Sequence, residues 1–175
     1  MVNNPTVQTP KRRAILAGTG SFVPEKILTN EDLMKMVDTN DEWITTRTGI
    51  KTRHVVSEGE TTATLAAEAA RRALKDANME PKDLNLIILG TITPEMVFPS
   101  TACFVQDIIG AKNAWAFDLS AACSGFVYGL SIAQQFVSSG LYKNALVIGA
   151  ETLTRITNYQ DRGSCILFGD GAGAD

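Results

Sequence analysis

The sequence predicts an α/β layered fold with a largely parallel sheet. Short continuous apolar runs, typical of strands buried on both faces, alternate with helical stretches of about ten or more residues. Glycine-containing turns separate the two kinds of segment. The chain has 175 residues, which is enough for one domain with a sizeable core.

The first predicted elements lie before residue 50. Residues 13–20 form an apolar run that ends in glycines, as expected for a buried strand followed by a turn. Asn30 is a suitable N-cap for a short helix that has two acidic residues in its first turn. Asp41 opens a second short helix, which ends at Gly49.

The clearest helix is predicted to begin at Thr61 or Thr62 and to continue to about Asn78. Its inner face is an alanine-rich stripe, which permits close approach of a neighbouring element. The continuous apolar run over residues 85–91 predicts a strand that is buried on both faces.

The same alternation continues through the second half of the chain. We predict a helix over residues 100–109, a strand over 114–119, a helix over 126–137 and a strand over 145–149. The helix over 126–137 is apolar on nearly every side and is therefore expected to be buried. A last strand is predicted over residues 164–168.

Two glycine-rich segments lack the features of nucleotide-binding loops. Gly18-Thr19-Gly20 is not followed by the third glycine of a dinucleotide fingerprint, because Val23 occupies that position, so we predict a turn. Residues 169–174 lack the Gly-Lys-Ser/Thr of a P-loop, and tight backbone packing is the predicted role. Because this segment points onward into further structure, we expect the chain to be a fragment.

Composition argues against several kinds of partner. With 16 basic and 19 acidic residues the net charge is −3, which does not suit nucleic acid. No apolar run reaches the roughly 20 residues of a membrane span, and the N-terminus lacks a signal peptide. Residues 1–11 are predicted to be a flexible leader before a domain over residues 12–175.

Cysteine and histidine usage limits the possible chemistry. Cys103, Cys123 and Cys165 are an odd number without CxxC spacing, which argues against a disulfide framework or a zinc site. Such usage suits a reducing cytoplasm. No cluster of His, Cys and carboxylate residues has ligand spacing, so no metal site is predicted. His54 is the single histidine.

Cys123 is the candidate nucleophile. It lies between a predicted strand and an apolar helix, among small residues. Unpaired backbone N–H groups and the positive end of the helix dipole favour the nucleophilic, anionic form of a thiol there. The alternative interpretation is a buried structural cysteine, since free cysteine is among the most buried residue types.

A thiol hydrolase is a further alternative, because residues 121–125 resemble a nucleophile elbow. Such an enzyme requires an acid and then a histidine downstream of the nucleophile. No histidine follows Cys123, and His54 lies far upstream. The sequence therefore holds a nucleophile without a convincing base, which makes the hydrolase the weakest of the hypotheses.

Several short motifs occur in order from about residue 13 to the end of the chain. They are Gly18-Thr19-Gly20-Ser21, Pro24-Glu25, Asp41-Glu42-Trp43-Ile44, Arg47-Thr48-Gly49-Ile50, Phe98-Pro99-Ser100, Phe117-Asp118, Ala122-Cys123-Ser124-Gly125-Phe126, Asp161-Arg162-Gly163 and residues 168–174. Together they resemble the β-ketoacyl-[acyl-carrier-protein] synthase III family, the initiating condensing enzymes of bacterial-type fatty acid synthesis. The resemblance implies a thiolase-like fold, in which two α/β halves pack into five layers (α-β-α-β-α), with this chain as the N-terminal half.

The resemblance implies that Cys123 takes an acyl group from acyl-CoA, commonly acetyl-CoA. Malonyl-acyl carrier protein then loses carbon dioxide, and its carbanion attacks the thioester to give a 3-oxoacyl-acyl carrier protein. Backbone N–H groups, including that of Cys123, are expected to stabilise the oxyanion. The catalytic His and Asn of the family lie in its C-terminal half, so this chain alone is expected to be inactive in condensation.

The resemblance also implies a CoA site. Trp43 and Arg47 match the residues that hold the CoA adenine, and Arg162 matches the arginine on the opposite side of the base. An aromatic ring and planar cations suit a purine face. Thr39 is expected to add a polar contact. Phe98 matches a residue that, in the homodimer of the family, reaches the partner's acyl pocket and helps to set primer length.

The resemblance implies no cofactor, because acyl-CoA is a substrate. Two alternatives stay open: a related polyketide- or quinolone-type condensing enzyme with another primer, and a non-catalytic half that serves folding or assembly. The segment that holds Trp43 and Arg47 favours a CoA-primed enzyme over elongating synthases, which take their acyl group from carrier protein.

Overall fold

A computed structural model of the chain describes residues 13–175, and the leader predicted over residues 1–11 lies outside the described residues. The strands are β1 (Gly20–Phe22), β2 (Ile27–Thr29), β3 (Thr52–His54), β4 (Leu86–Gly90), β5 (Trp115–Leu119), β6 (Ala145–Thr152) and β7 (Asp170–Ala174). The helices are α1 (Asn30–Met34), α2 (Asp41–Thr48), α3 (Thr62–Asp76), α4 (Thr101–Ile109) and α5 (Gly125–Ser138). None of these helices is both long and apolar enough to cross a membrane.

Five strands form the main sheet, in the order β1-β7-β6-β4-β5. β4 pairs in parallel with β5 and β6, whereas β7 runs antiparallel to β6 and β1. The prediction of a largely parallel sheet is therefore right for β4, β5 and β6 and wrong for β7. The cause is the connection after β6: it contains a 3₁₀ turn, Leu153–Arg155, instead of the crossover helix that a parallel strand needs. β2 and β3 form a separate antiparallel pair.

Helices cover both faces of the main sheet, which gives the predicted layers. Every residue of β4 is buried, as the apolar run over residues 85–91 predicts. Ile87 and Leu89 belong to the core beneath α3 and α4, whereas Leu86 and Ile88 pack towards α5. This alternation is that of a strand buried on both faces.

The alanine-rich stripe of α3 lies directly against backbone. A β-carbon at Gly20 would lie 2.3 Å from the carbonyl oxygen of Ala69, and one at Gly18 would lie 2.4 Å from the nitrogen of Ala77. Glycine is therefore required for this close approach. The Gly-Thr-Gly segment packs against the helix and leads into β1, so the turn that we predicted there is wrong.

The strand predicted over residues 13–20 is also wrong for most of its length. Pairing with β7 begins at Gly20, and Ile15 and Leu16 are 83% and 66% exposed. No strand in the described part of the chain pairs with residues 13–19. Their apolar pattern alone does not make a strand, because a strand also requires a hydrogen-bonded neighbour.

Residues 164–168 form turns instead of the last predicted strand, and β7 follows them. Cys165 and Ile166 fill a small second core together with Leu33 and Ile44. The apolar residues of this run are therefore buried in a core although they lie in a turn. The glycine-rich segment after it, predicted to pack tightly, is the strand, in which buried and half-buried residues alternate.

The N-cap of α1 is Thr29, one residue before the predicted Asn30. The Thr29 hydroxyl accepts a hydrogen bond from the N–H of Asp32 at 3.1 Å, and the Asp32 carboxylate accepts from the N–H of Thr29. These reciprocal bonds form a capping box. The side chain of Asn30 is thereby free to point into the protein, where the residue is buried.

α5 is buried on one face only, formed by Gly125, Gly129 and Ala133. Val127 and Tyr128 on the same helix are 59% and 54% exposed. The prediction that this helix is buried on nearly every side is therefore wrong for the described structure, since no element within residues 13–175 covers the outer face.

Candidate active site

Cys123 lies on a short 3₁₀ turn, Ala122–Ser124, between β5 and α5. The residue is exposed, which contradicts the alternative of a buried structural cysteine. The turn follows the carboxyl end of β5, the edge at which parallel strands usually present ligand sites. The thiol therefore lies at the N-terminal end of α5, where the positive end of the helix dipole favours an anion.

Two glycines allow α5 to begin directly against the sheet. A β-carbon at Gly90, the last residue of β4, would lie 2.8 Å from the carbonyl carbon of Gly125. A β-carbon at Gly125 would lie 3.1 Å from the α-carbon of Gly90. This contact fixes the start of α5 at the end of β4 and therefore fixes the turn that carries Cys123.

The residue before Cys123 has an unusual backbone conformation. Ala122 has φ of 46°, in the left-handed region that non-glycine residues rarely adopt. Such a conformation costs about 1–2 kcal/mol. The N–H of Ser124 donates to the carbonyl of Ala121 at 3.1 Å, which helps to hold the tight turn. The bend in the backbone separates the end of β5 from the start of α5.

His54 makes its hydrogen bond away from Cys123. Its Nδ1 lies 2.6 Å from the carbonyl oxygen of Pro24. Because a carbonyl only accepts, the bond requires a proton on Nδ1. His54 lies in β3, which belongs to the two-stranded sheet and not to the sheet that carries Cys123. The ring therefore ties β3 to the segment before β2. The sequence likewise assigns His54 no catalytic role.

The structure brings Trp43, Arg47 and Arg162 together, although more than a hundred residues separate the last from the others. The guanidinium carbon of Arg47 lies 4.3 Å from the centroid of the Trp43 ring, and that of Arg162 lies 4.8 Å from it. Both distances are those of cation–π contacts. Trp43 lies in the first turn of α2, where Asn40 caps the helix by accepting from the Trp43 N–H at 2.8 Å.

The loop before α2 completes this cluster. Arg162 donates to the carbonyl of Asp38 at 3.2 Å, and the Asp38 carboxylate lies 3.9 Å from the guanidinium of Arg162. Thr39 is the next residue, and its hydroxyl is buried without a hydrogen-bond partner. A buried hydroxyl without a partner is uncommon in folded proteins. Thr39 therefore has an unused hydrogen-bonding group in the loop that precedes α2.

Phe98 lies apart from this cluster, on the segment that follows β4. It is 86% exposed, and Val97 before it is fully exposed. Glu151 of β6 holds the start of the segment: it accepts from the N–H of Ile92 at 2.9 Å and from the hydroxyl of Thr93 at 2.5 Å. Sequence reasoning missed Glu151, because nothing in its spacing links it to the segment.

Glu95, within the segment that carries Phe98, was also missed. Its carboxylate accepts from the N–H of Ala63 at 2.6 Å and from the hydroxyl of Thr101 at 2.8 Å, which ties the segment to the starts of α3 and α4. Asp118 of β5 caps α4 by accepting from the N–H of Thr101 at 2.7 Å. Three acidic side chains thus anchor the segment and the helix that follows it, and two of them, Glu151 and Asp118, lie outside the segment in the sequence.

Within residues 13–175 no group of three or more His, Cys, Asp or Glu side chains has the arrangement of a metal site. The only cysteine besides Cys123 that is not buried is Cys103, which is half-buried. Its sulfur lies 3.1 Å from the hydroxyl of Ser100. The described site is therefore one exposed thiol together with a separate arginine–tryptophan cluster.

Comparison with known proteins shows which proteins the chain resembles. A family model described as 3-Oxoacyl-[acyl-carrier-protein (ACP)] synthase III matches residues 117–175. The chain is 64% identical over 164 residues to the "Beta-ketoacyl-[acyl-carrier-protein] synthase III" of Caldanaerobacter subterraneus subsp. tengcongensis, covering 94% of this chain and 50% of that protein. Over nearly its whole described length the chain is therefore similar to β-ketoacyl-[acyl-carrier-protein] synthase III. A synthase III of Xylella fastidiosa (strain Temecula1) is 61% identical over 161 residues, 92% of this chain and 50% of that protein.

Two solved structures have the same fold over at least 90% of this chain. The crystal structure of 3-oxoacyl-[acyl-carrier-protein] synthase III from Aquifex aeolicus VF5 matches with a TM-score of 0.88 and 57% identity, over 90% of this chain and 51% of that one. The priming β-ketosynthase of the R1128 polyketide pathway matches with a TM-score of 0.91 and 38% identity, over 97% and 51%. The thiolase-like fold class is confirmed, and the chain spans about half the length of the relatives it matches.

Proposed function

We propose that this chain provides the acyl-accepting half of an enzyme that initiates fatty acid synthesis. The observation that carries the proposal is the exposed Cys123 at the start of α5, on the carboxyl edge of the parallel strands. Relatives that are 57–64% identical to it over about half of their own length are named β-ketoacyl-[acyl-carrier-protein] synthase III. In this proposal residues 12–175 form one of two α/β halves.

In the first step, the Cys123 thiolate attacks the carbonyl carbon of acetyl-CoA or a similar acyl-CoA. The new carbon–sulfur bond replaces the bond to CoA, which leaves as its thiol after gaining a proton. Backbone N–H groups at the start of α5 support the oxyanion that forms in between. The covalent thioester divides a difficult condensation into two easier reactions.

In the second step, malonyl-acyl carrier protein loses carbon dioxide, and the resulting carbanion attacks the Cys123 thioester. The products are 3-oxoacyl-acyl carrier protein and the free thiol. The single histidine, His54, is bonded to Pro24, so we expect the groups that stabilise the carbanion to come from outside this chain. Condensation by the 175-residue chain alone would refute that part of the proposal.

We assign recognition of CoA to the arginine–tryptophan cluster. The adenine stacks on Trp43 between the ring and Arg162, with Arg47 beside the base, because planar cations and aromatic rings bind purine faces. Arg162 must move outward to admit the base, since its guanidinium now lies 4.8 Å from the Trp43 centroid. The unpartnered hydroxyl of Thr39 then bonds the bound nucleotide.

We assign Phe98 to the acyl pocket of a second copy in a homodimer. Its 86% exposure and the three acidic anchors of its segment support a side chain held outward for a partner. Substitution of Phe98 in the full-length enzyme is expected to change which acyl-CoA primers are accepted. An unchanged primer profile would remove this assignment.

Acylation can be tested by intact-mass measurement after incubation with acetyl-CoA, followed by peptide mapping. We expect one acetyl group on Cys123, removable by hydroxylamine and absent from the Cys123→Ser variant. Cys103 and Cys165 serve as internal controls, because one is half-buried and the other buried. Absence of an adduct on the wild-type chain would overturn the proposal that this half accepts the acyl group unaided.

A polyketide-priming enzyme is the second candidate, because the R1128 priming β-ketosynthase has the higher of the two TM-scores above. Sequence identity favours the first candidate, at 64% against 38%. A primer series of acyl-CoA thioesters, offered to the full-length enzyme, separates the two. Preference for acetyl-CoA supports fatty acid initiation, and preference for a longer or unusual primer supports the second candidate.

A further inference from the structure

Arg53 is a buried arginine, only 4% exposed, and the mechanism above does not use it. Its Nε and Nη2 donate to the carbonyl of Ile166 at 3.0 and 2.5 Å, and its Nη1 donates to the side-chain oxygen of Asn30 at 2.5 Å. The ion pairs found within residues 13–175 do not include it. A buried cation held by neutral acceptors is costly, so such a residue calls for an explanation.

One side of Arg53 leads to α2. Asn30, which accepts from Arg53, donates to the carboxylate of Asp41 at 2.7 Å and to the carbonyl of Ile50 at 3.0 Å. Asp41 is the first residue of α2, and Ile50 lies just after its end. The hydrogen bond from Asn30 is the largest cause that lowers the pKa of Asp41, followed by that from Lys51. Arg53 is therefore coupled to both ends of the helix that carries Trp43.

The other side of Arg53 leads to the turn that carries Arg162. Ile166 lies four residues after Arg162, and the Asp161 carboxylate closes the turn between them by accepting from the Ser164 hydroxyl at 2.5 Å. The backbone just after the turn also packs against β3. A β-carbon at Gly169 would lie 3.0 Å from the carbonyl oxygen of His54, the residue after Arg53.

The two sides meet in the second core. Ile44 of α2 and Ile166 of the turn are both buried in it, and Trp43 packs against its edge. Burial is the largest influence on the pKa of Arg53 and lowers it, while the neighbouring Cys165 and Tyr159 act in the opposite direction. A guanidinium stays protonated in such a setting, and its planar fork serves two acceptors at once.

We propose that Arg53 is a positioning residue that clamps the Arg162 turn to the Trp43 helix and thereby sets the width of the slot for the CoA base. The inference rests on the proposed function, because it assumes that the base binds between Trp43 and Arg162. Lysine cannot replace the arginine fully, since a single ammonium group cannot reproduce the forked contact with Ile166 and Asn30.

The test uses Arg53→Met and Arg53→Lys in a Trp115→Phe background, in which Trp43 is the only tryptophan. Adenosine 3′,5′-bisphosphate, which contains the base and ribose of CoA but no thiol, is titrated against Trp43 fluorescence. Arg72→Met is the matched control. Arg72 lies on α3 and, like Arg53, donates to a backbone carbonyl, in this case that of Ser21 at 2.7 Å. Alkylation of Cys165, compared with Cys103, reports whether the turn has opened locally.

We expect Arg53→Met to weaken binding about tenfold, because the loosened turn must be ordered again on binding. The affinity of Arg53→Lys is expected to lie between those of Arg53→Met and the parent, and the affinity of Arg72→Met to equal that of the parent. Alkylation of Cys165 increases in Arg53→Met while that of Cys103 stays constant. If both cysteines become reactive, Arg53→Met has unfolded, and the lysine variant decides the outcome by the same binding measurement.

Two results would overturn the inference, and they are distinguishable. Binding by the Arg53 variants equal to that of the parent would show that Arg53 does not position the slot, while leaving the CoA site intact. Failure of the parent itself to bind the bisphosphate would overturn the proposed CoA site and the inference with it.

Discussion

Trp43 carries two guanidinium groups on one indole ring, which is unusual because the two positive charges repel each other. Each contact contributes about 0.5–1 kcal/mol at an exposed site. The arrangement is therefore easily changed. In the proposed CoA site, a flat base that enters beside the ring would gain stacking and displace one arginine.

We predict that Trp43→Ala weakens binding of adenosine 3′,5′-bisphosphate by between about fivefold and 150-fold, because base–aromatic stacking contributes about 1–3 kcal/mol. Isothermal titration calorimetry measures the change without relying on tryptophan fluorescence. Trp115→Ala is the matched control, since Trp115 is 67% exposed on β5 and lies outside the cluster. Equal loss in the two variants would contradict the assignment.

The residues of the site differ in how well the sequence predicts them. The tight turn after an apolar strand makes Cys123 a candidate nucleophile from the local pattern, with a structural cysteine as the alternative. Trp43, Arg47 and Arg162 come together only through tertiary packing, so the resemblance to a family was needed to group them. Nothing in the sequence indicates that Arg53 is buried, because a single arginine in a short strand is normally exposed.

At the scale of elements, α5 meets β4 backbone against backbone. Helices usually contact sheets through side chains, so the pairing of Gly90 with Gly125 brings the start of α5 unusually close to the sheet. The loop that carries Cys123 is short for the same reason. Any side chain at either glycine pushes the helix start away from the strand.

We predict that Gly90→Ala destabilises the fold by about 1–3 kcal/mol through overpacking and slows acetylation of Cys123. Gly173→Ala is the control: it is also a strand glycine, but a β-carbon there meets no atom within 4 Å. The control is expected to be neutral or slightly stabilising, because alanine restricts the unfolded chain. Urea titration and the acetylation rate measure the two effects, and equal stability of the variants would contradict the packing argument.

The capping box of α1 makes stability depend on pH. The pKa of Asp32 is lowered from its usual 3.8 to about 2, first by Lys35 and then by Thr29. A lowered pKa means that the folded state favours the carboxylate, so this stabilisation is present above pH 3.8 and is lost as the pH falls through about 2.

We predict that Asp32→Asn lowers the melting temperature above about pH 4 and that its difference from the wild type shrinks between pH 3.8 and 2. Melting curves by circular dichroism at several pH values give the difference. Glu31→Gln is the control, since the neighbouring Glu31 is exposed. A difference that is independent of pH would show that the Asp32 carboxylate has no role in the cap.

Most helices and the parallel strands can be predicted from the sequence, because their patterns are local. The errors concern strands whose identity depends on a neighbour. Residues 13–19 are apolar but have no strand beside them, whereas β7 is rich in glycine yet pairs on both sides. Glycine has a low preference for strands, so β7 is a strand because both neighbours pair with it, which is a property of the tertiary structure.

At the scale of the whole molecule, the described structure leaves several apolar surfaces uncovered. Val127 and Tyr128 on α5, Ile15 and Leu16 before β1, and Phe98 are all more than half exposed. Exposed apolar patches of this kind usually mark contact surfaces. In relatives about twice as long, there is enough additional chain to cover them.

We predict that the 175-residue chain associates with itself through the outer face of α5. Sedimentation velocity is expected to show larger species as concentration rises, and Val127→Lys is expected to reduce them. Ile156→Lys is the control, because Ile156 is similarly exposed, at 63%, but lies outside that helix. A chain that stays monomeric and melts sharply would contradict the prediction.

The acidic anchors of the Phe98 segment have one more consequence. Glu151 and Glu95 accept only from hydroxyl and amide groups, and none of the ion pairs within residues 13–175 includes them. Dissolved ions screen charge pairs at the surface but compete poorly with short bonds of this kind. A rise in ionic strength will therefore weaken the hold of Asp38 on Arg162 and leave the loop that presents Phe98 in place. The two ends of the proposed site will respond differently to salt, so that nucleotide affinity can change while primer choice stays constant.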